Sequence, residues 1–215
     1  MNWEPILSVI LVVTTAPAQT VYHLPFASQG NMLELVVANA SSVEATEVNV
    51  RIQSAPAWLR FAQTEQKISA IAAGGEQRAV FVFAIEKSAP VGEEHRLEFR
   101  ISMGDGQNWT KEIPILVSAP EKFELFQNYP NPFNPTTVIG YTLPNVGTHH
   151  DVSLRVYNLL GQEIATLFQG EQRSGYQQVT FEASNLSTGV YIYQIQLTSQ
   201  RGENKQLRRT MLLLK

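Results

Sequence analysis

Along residues 22–117 the apolar positions fall in runs of strand length. The stretches 32–38, 47–52, 79–85, 96–101 and 113–117 either alternate apolar with polar or run apolar for five to seven positions. Between them lie turn-forming clusters at Asn39–Ser42, Ala73–Glu76, Ala89–Gly92 and Gly104–Gln107. No stretch carries a convincing 3.6-residue period with caps. The second half repeats this rhythm. Strands are expected at 137–143, 152–157, 163–168, 177–181, 189–197 and 207–214, with Val152, Leu154 and Val156 on one face. Gly161, in the turn after Tyr157, suits a positive φ. Roughly seven strands per half predict an antiparallel sandwich in each.

The fold class is therefore all-β: two tandem immunoglobulin-like antiparallel β-sandwich domains. Their expected bounds are 19–118 and 123–215. The polar, Pro-containing stretch 119–122 is a short, semi-rigid joint. Ala55-Pro56-Ala57-Trp58-Leu59 interrupts the first pattern and is expected to set Trp58 as a plug over one end of the core. The first half resembles the accessory sandwiches found beside catalytic domains of glycosidases and surface proteins, which implies a spacer.

The run from Gln127 to Thr137 departs from strand chemistry. Pro130, Pro132 and Pro135 fix φ and lack a backbone donor, so the run is neither helix nor central strand. Tyr129, Asn131 and Asn134, each preceding a proline, are pushed toward extended geometry. Tyr129 and Phe133 are expected to pin the run onto the following sandwich.

Four motifs occur in order: Tyr129-Pro130-Asn131-Pro132-Phe133-Asn134-Pro135, then the Leu154–Glu163 stretch with Asn158-Leu159-Leu160-Gly161, then Leu186-Ser187-Thr188-Gly189-Val190-Tyr191, then Leu212-Leu213-Leu214-Lys215. Together they resemble a type A C-terminal sorting domain of the type IX secretion system, the Por secretion tail family, from about Phe123 onward. The resemblance implies a Gram-negative bacterial protein that crosses the inner membrane by a signal peptide and folds in the periplasm. It then passes the outer membrane to the medium or cell surface. The implied partners are the type IX translocon and a sortase-like peptidase, with cleavage expected in 118–123. By position, Tyr129, Pro130, Asn131, Pro132, Gly161, Gly189, Tyr191, Leu212, Leu213, Leu214 and Lys215 carry the sorting motif. The chain would then be the C-terminal region of an exported protein, its first domain a non-catalytic spacer or binding module. Two other readings stand beside it: a carbohydrate-binding or adhesive surface module, and a structural scaffold resembling the hook-capping immunoglobulin-like domain.

Composition narrows the chemistry. The 215 residues contain no cysteine, which removes disulfides, thiolate metal sites and a Cys nucleophile. Eight basic and twelve acidic residues precede Pro120, and eight and seven follow it, so neither half is basic enough to suggest nucleic acid. The apolar stretch 6–13 followed by Ala16-Pro17-Ala18 reads as a candidate signal peptide over 1–18, although Met1–Pro5 lacks Lys and Arg. The other reading is a buried strand. Either way the stretch is shorter than the ~20 apolar residues a transmembrane helix needs.

His149-His150-Asp151 is the one cluster of metal-ligand types, and it reads as a solvated loop, because neighbouring side chains on extended backbone point apart. His23 and His95 are isolated. No Gly-x-Ser-x-Gly elbow occurs, and Glu93-Glu94 reads as a solvated turn, so no enzyme activity and no cofactor are expected. Trp58 and Trp109 are candidates for ligand stacking, as on a sugar, against the alternative of core packing. Arg201, Lys205, Arg208, Arg209 and Lys215 form a basic patch that reads either as a solvated edge or as part of a recognised signal.

Overall fold

Strict alternation along the chain becomes strands wherever one face can be buried. The computed structural model describes residues 8–11, 21–104, 106–144, 150–198 and 204–215. Most of the candidate leader, Trp3, His149 and Arg201 lie outside the described residues. Among the described residues there are sixteen strands and no helix. The chain divides into two compact units, Met1–Ser118 and Ala119–Lys215.

The first unit contains β1 (Ser8–Leu11), β2 (Tyr22–Leu24), β3 (Asn31–Ala38), β4 (Ala45–Ser54), β5 (Leu59–Phe61), β6 (Glu65–Ile71), β7 (Glu76–Ile85), β8 (Glu94–Ser102) and β9 (Asn108–Val117). One sheet has the order β1-β3-β7-β5 and the other β2-β9-β8-β4-β6. Leu33, Leu35, Phe81 and Phe83 from the first sheet share a core with Val50, Phe99, Ile113 and Ile115 from the second. Antiparallel pairing dominates, but β1 joins β3 and β2 joins β9 in parallel. β1 falls within the apolar stretch 6–13, whose second reading is a buried strand, whereas β2 and the largely polar β6 have too little apolar periodicity to be read from sequence.

The second unit contains β10 (Glu124–Leu125), β11 (Thr136–Leu143), β12 (His150–Tyr157), β13 (Glu163–Gln172), β14 (Gly175–Glu182), β15 (Gly189–Thr198) and β16 (Asn204–Leu213). Its sheets are β10-β11-β14 and β13-β12-β15-β16, all antiparallel. The core joins Ile139, Tyr141 and Phe181 of one sheet to Val152, Leu154, Tyr193, Ile195 and Leu213 of the other. Gly140 leaves space that the Tyr176 ring occupies, since a Cβ there would collide with it. Burial pushes the Tyr141 hydroxyl pKa up to about 12.

Two expectations are corrected here. His150 is not in a solvated loop. It begins β12, inside the same period-2 face as Val152, Leu154 and Val156, and is buried. Tyr129 does not anchor its segment: it is 82% exposed, and Phe133 alone enters the core.

Candidate functional site

β16 is the last strand of its sheet, so its outer row of backbone groups needs partners. The proline-rich segment supplies them from about eighty positions upstream. Phe133 N–H donates to the Leu212 carbonyl at 2.9 Å, and Leu214 N–H donates to the Phe133 carbonyl at 3.0 Å. Leu212 N–H donates to Asn131 Oδ1 at 2.9 Å, and Gln127 Nε2 donates to the Thr210 carbonyl at 2.8 Å. Arg209 Nε donates to the Leu125 carbonyl at 2.6 Å. Pro130, Pro132 and Pro135 have no N–H, so a regular ladder is impossible and side-chain amides carry much of the pairing.

The segment is itself held from within. Asn128 is buried, and its Nδ2 donates to the Pro130 carbonyl at 3.0 Å and to Thr137 Oγ1 at 2.9 Å. Its backbone N–H donates to the Tyr193 hydroxyl at 2.9 Å, which in turn donates to the Phe126 carbonyl at 2.8 Å. Burial raises the Tyr193 pKa against opposing effects of the Asn128 hydrogen bond and the Arg209 charge. Phe133 packs against Phe181 with ring centroids 6.1 Å apart.

The remaining motifs meet the same region. Lys215 N–H donates to Thr188 Oγ1 at 3.1 Å, and its Nζ to the Ser184 carbonyl at 2.7 Å. Tyr191 is buried and its hydroxyl donates to the Ser187 carbonyl at 2.8 Å. Gly189 pairs with Leu213, and Tyr157 with Ile192, so the turn after β12 lies at the end of the sheet where β15 begins and β16 ends. In that turn Gly161 has φ +78°, as its position suggests. Asn158 Oδ1 accepts from the N–H groups of Leu160 and Gln162, each at 3.0 Å. The turn thereby fixes Leu159 and Leu160 in water, at 69% and 84% exposed. Gly189 has no positive φ, and nothing in the structure explains glycine there.

The motif residues separate by exposure. Phe133, Tyr191 and Leu213 are buried and structural, whereas Tyr129, Pro130, Asn131, Pro132, Gly161, Leu214 and Lys215 face solvent and Leu212 is half-buried. The structure adds Asn128, Thr137 and Tyr193 as the buried polar support of the segment. It also adds the exposed pair Leu159 and Leu160, whose signal was two adjacent leucines inside a polar turn. The basic patch is partly tied down: Arg208 Nε donates to Gln194 Oε1 at 2.7 Å, besides the Arg209 and Lys215 bonds above.

In the first unit Trp58 is buried, its ring edge-on to His95 with centroids 5.3 Å apart. The residue fills the end of the core and has no face free for a ligand, which corrects the stacking expectation at that position. Trp109 is 40% exposed. Among the described residues no three His, Cys, Asp or Glu side chains gather to hold a metal, and no helix is long and apolar enough to cross a membrane.

No curated protein sequence matches the chain. Among solved structures, dimeric latent PorU from Porphyromonas gingivalis is 11% identical with a TM-score of 0.37, and the match covers 88% of this chain and 19% of that one. The CupB2 chaperone of Pseudomonas aeruginosa is 12% identical with a TM-score of 0.26, covering 89% and 98%. Red sea bream transglutaminase is 16% identical with a TM-score of 0.33, covering 89% and 30%. This chain thus spans about a fifth of PorU. Residues 127–207 match the family model described as the secretion system C-terminal sorting domain. The second unit therefore carries a type IX C-terminal sorting domain, the tail of an exported protein that is secreted or held at the cell surface.

Proposed function

We propose that the second unit is read in its folded state by the type IX translocon at the outer membrane, after the chain has crossed the periplasm. The observation that carries this reading is the convergence of motifs separated by up to 81 positions on one strand edge and one sheet end. Several of their members, Tyr129 to Pro132, Leu214 and Lys215, stay exposed, where a partner can touch them.

In this reading a sortase-like peptidase removes the label within 118–123. Ser118 N–H still donates to the Leu24 carbonyl of the first unit, and the Lys122 carbonyl already accepts from Thr142 of the second, which leaves 119–121 between these anchors. Neither unit performs that cleavage, and the first serves as spacer or binding module without catalysis. Expression behind a dependable signal peptide in a host with type IX secretion tests this, with mass spectrometry of each fraction. A surface or medium product ending within 118–123 is expected. Full-length protein held in the periplasm would overturn the reading.

A further inference from the structure

At one end of the first unit the two sheets do not close. Trp109 lies on the same strand face as Ile113, Ile115 and Val117, which are buried in the core, yet it is 40% exposed. An inward-facing tryptophan can be that exposed only where the opposite sheet fails to cover it. The uncovered space is a cavity of about 490 Å³. This is within the roughly 300–1,000 Å³ of pockets that take small molecules. Its floor is Val48, Ile71 and Ile101, all buried, and its mouth carries Trp109, Met103 and the 70% exposed Val43.

The described residues of the rim are held by hydrogen bonds. Asn39 Nδ2 donates to the carbonyls of Val43 at 2.8 Å and Ile71 at 3.0 Å, while its Oδ1 accepts from the Ser41 hydroxyl at 2.7 Å. The loop presenting Val43 is thus fixed to β6. On the other side Met103 N–H donates to the Gln107 carbonyl at 2.9 Å, and Gly104 N–H to the Thr46 carbonyl at 3.4 Å. Glu44 carries the one charge among the described residues that line the cavity.

We infer that this cavity is a binding site for a small molecule with a flat apolar body and a cationic head, such as an aryl-alkylamine. The ring would insert between Trp109 and Val43, and the amine would face the Glu44 carboxylate. Anionic analogues of the same shape are disfavoured by that carboxylate. The inference concerns the first unit alone and does not rest on the sorting reading.

The test uses the full chain and the neutral apolar fluorophore N-phenyl-1-naphthylamine, displaced by phenethylamine or by 3-phenylpropionate. Saturable one-to-one fluorophore binding is expected, with phenethylamine displacing it about fivefold more tightly than the carboxylate, in the range of an exposed ion pair. Trp109→Ala and Val43→Asp, both at exposed positions, should weaken binding at least tenfold, with circular dichroism reporting an intact fold. Glu44→Gln should erase the amine preference while leaving fluorophore affinity unchanged. The site is overturned by absence of saturable binding, or by binding indifferent to both rim variants. Its proposed chemistry is overturned by equal displacement by the two competitors in the unmutated chain.

Discussion

The two sandwiches solve the same edge problem with different chemistry. In the first unit the sheets end on short or polar strands, and the arginines of the described ion pairs, Arg60–Glu86, Arg78–Glu34 and Arg96–Glu112, are exposed, with Arg60 on the edge strand β5 and Glu34 half-buried. Exposed pairs of this kind contribute about 0–1 kcal/mol each. In the second unit the outer edge of β16 is closed by Gln127, Asn131 and Phe133, and the closing segment hangs on buried Asn128. The first unit could lose any one of these pairs cheaply. The other has joined its entry segment and its last strand into a single interdependent structure, and that is where its sequence motifs lie.

The sharpest way to break this comparison is to delete residues 211–215. The deletion removes buried Met211 and Leu213 and the backbone partners of Phe133. Fully burying one such side chain contributes about 1.5–3 kcal/mol, against a total stability of about 5–15 kcal/mol for a domain. Calorimetry should show the second unit's transition lost or strongly lowered, the first unit's unchanged, and export abolished. A truncated chain retaining both transitions would show that the last strand is not part of the closure.

A smaller change separates buried support from surface pairing. Asn128→Ala removes two hydrogen bonds in a buried site and leaves the Pro130 carbonyl and the Thr137 hydroxyl only their bond to each other at 2.8 Å, at a cost of about 1–3 kcal/mol. Arg96→Ala, which removes an exposed pair of the first unit, should cost about 0–1 kcal/mol. Urea denaturation of both variants measures the difference, and equal costs would dissolve the contrast between the units.

The contrast also has a pH signature. Burial raises the folded-state pKa of Tyr141 from 10 to about 12 and raises that of Tyr193. A group whose folded pKa is raised gives stability that is fully present below its unfolded pKa and lost as pH rises through the folded one. The tyrosines should therefore leave the second unit's stability unchanged as pH rises to about 10 and weaken it between pH 10 and 12. Tyr141→Phe should flatten that decline in a series of melting curves, at a cost of about 1 kcal/mol for the lost Gln172 hydrogen bond at neutral pH.

How far sequence carried this picture follows from the same physics. Strands such as β3, β7, β12 and β15 bury one face, so their alternation is written plainly. β2, β5 and β10 have two or three residues and no period to detect. The proline run was legible as irregular and rigid, because φ restriction is local. Its partner was not legible: nothing in residues 127–133 states that their amides reach Thr210 and Leu212. His150 was misplaced because its strand starts two residues before the apolar alternation becomes visible. Tyr129 was misplaced because an aromatic beside a proline reads as an anchor by composition, while the segment needs only Phe133 inside the core.

That misplaced tyrosine gives the finest test. Tyr129 exchanges backbone hydrogen bonds with Val138, each at 3.0 Å, and its side chain is 82% exposed. Substituting alanine keeps both backbone bonds and removes little buried area, so unfolding free energy should change by no more than about 0.5 kcal/mol. Phe133→Ala, four positions along, empties a buried aromatic site at about 3–5 kcal/mol. If the exposed motif residues are read by a partner, Tyr129→Ala should lower export several-fold while the melting transition stays in place, and Phe133→Ala should lower both together. Normal export of Tyr129→Ala would remove this residue from the recognised surface, leaving Pro130, Asn131, Pro132, Leu214 and Lys215 of the exposed set to carry it.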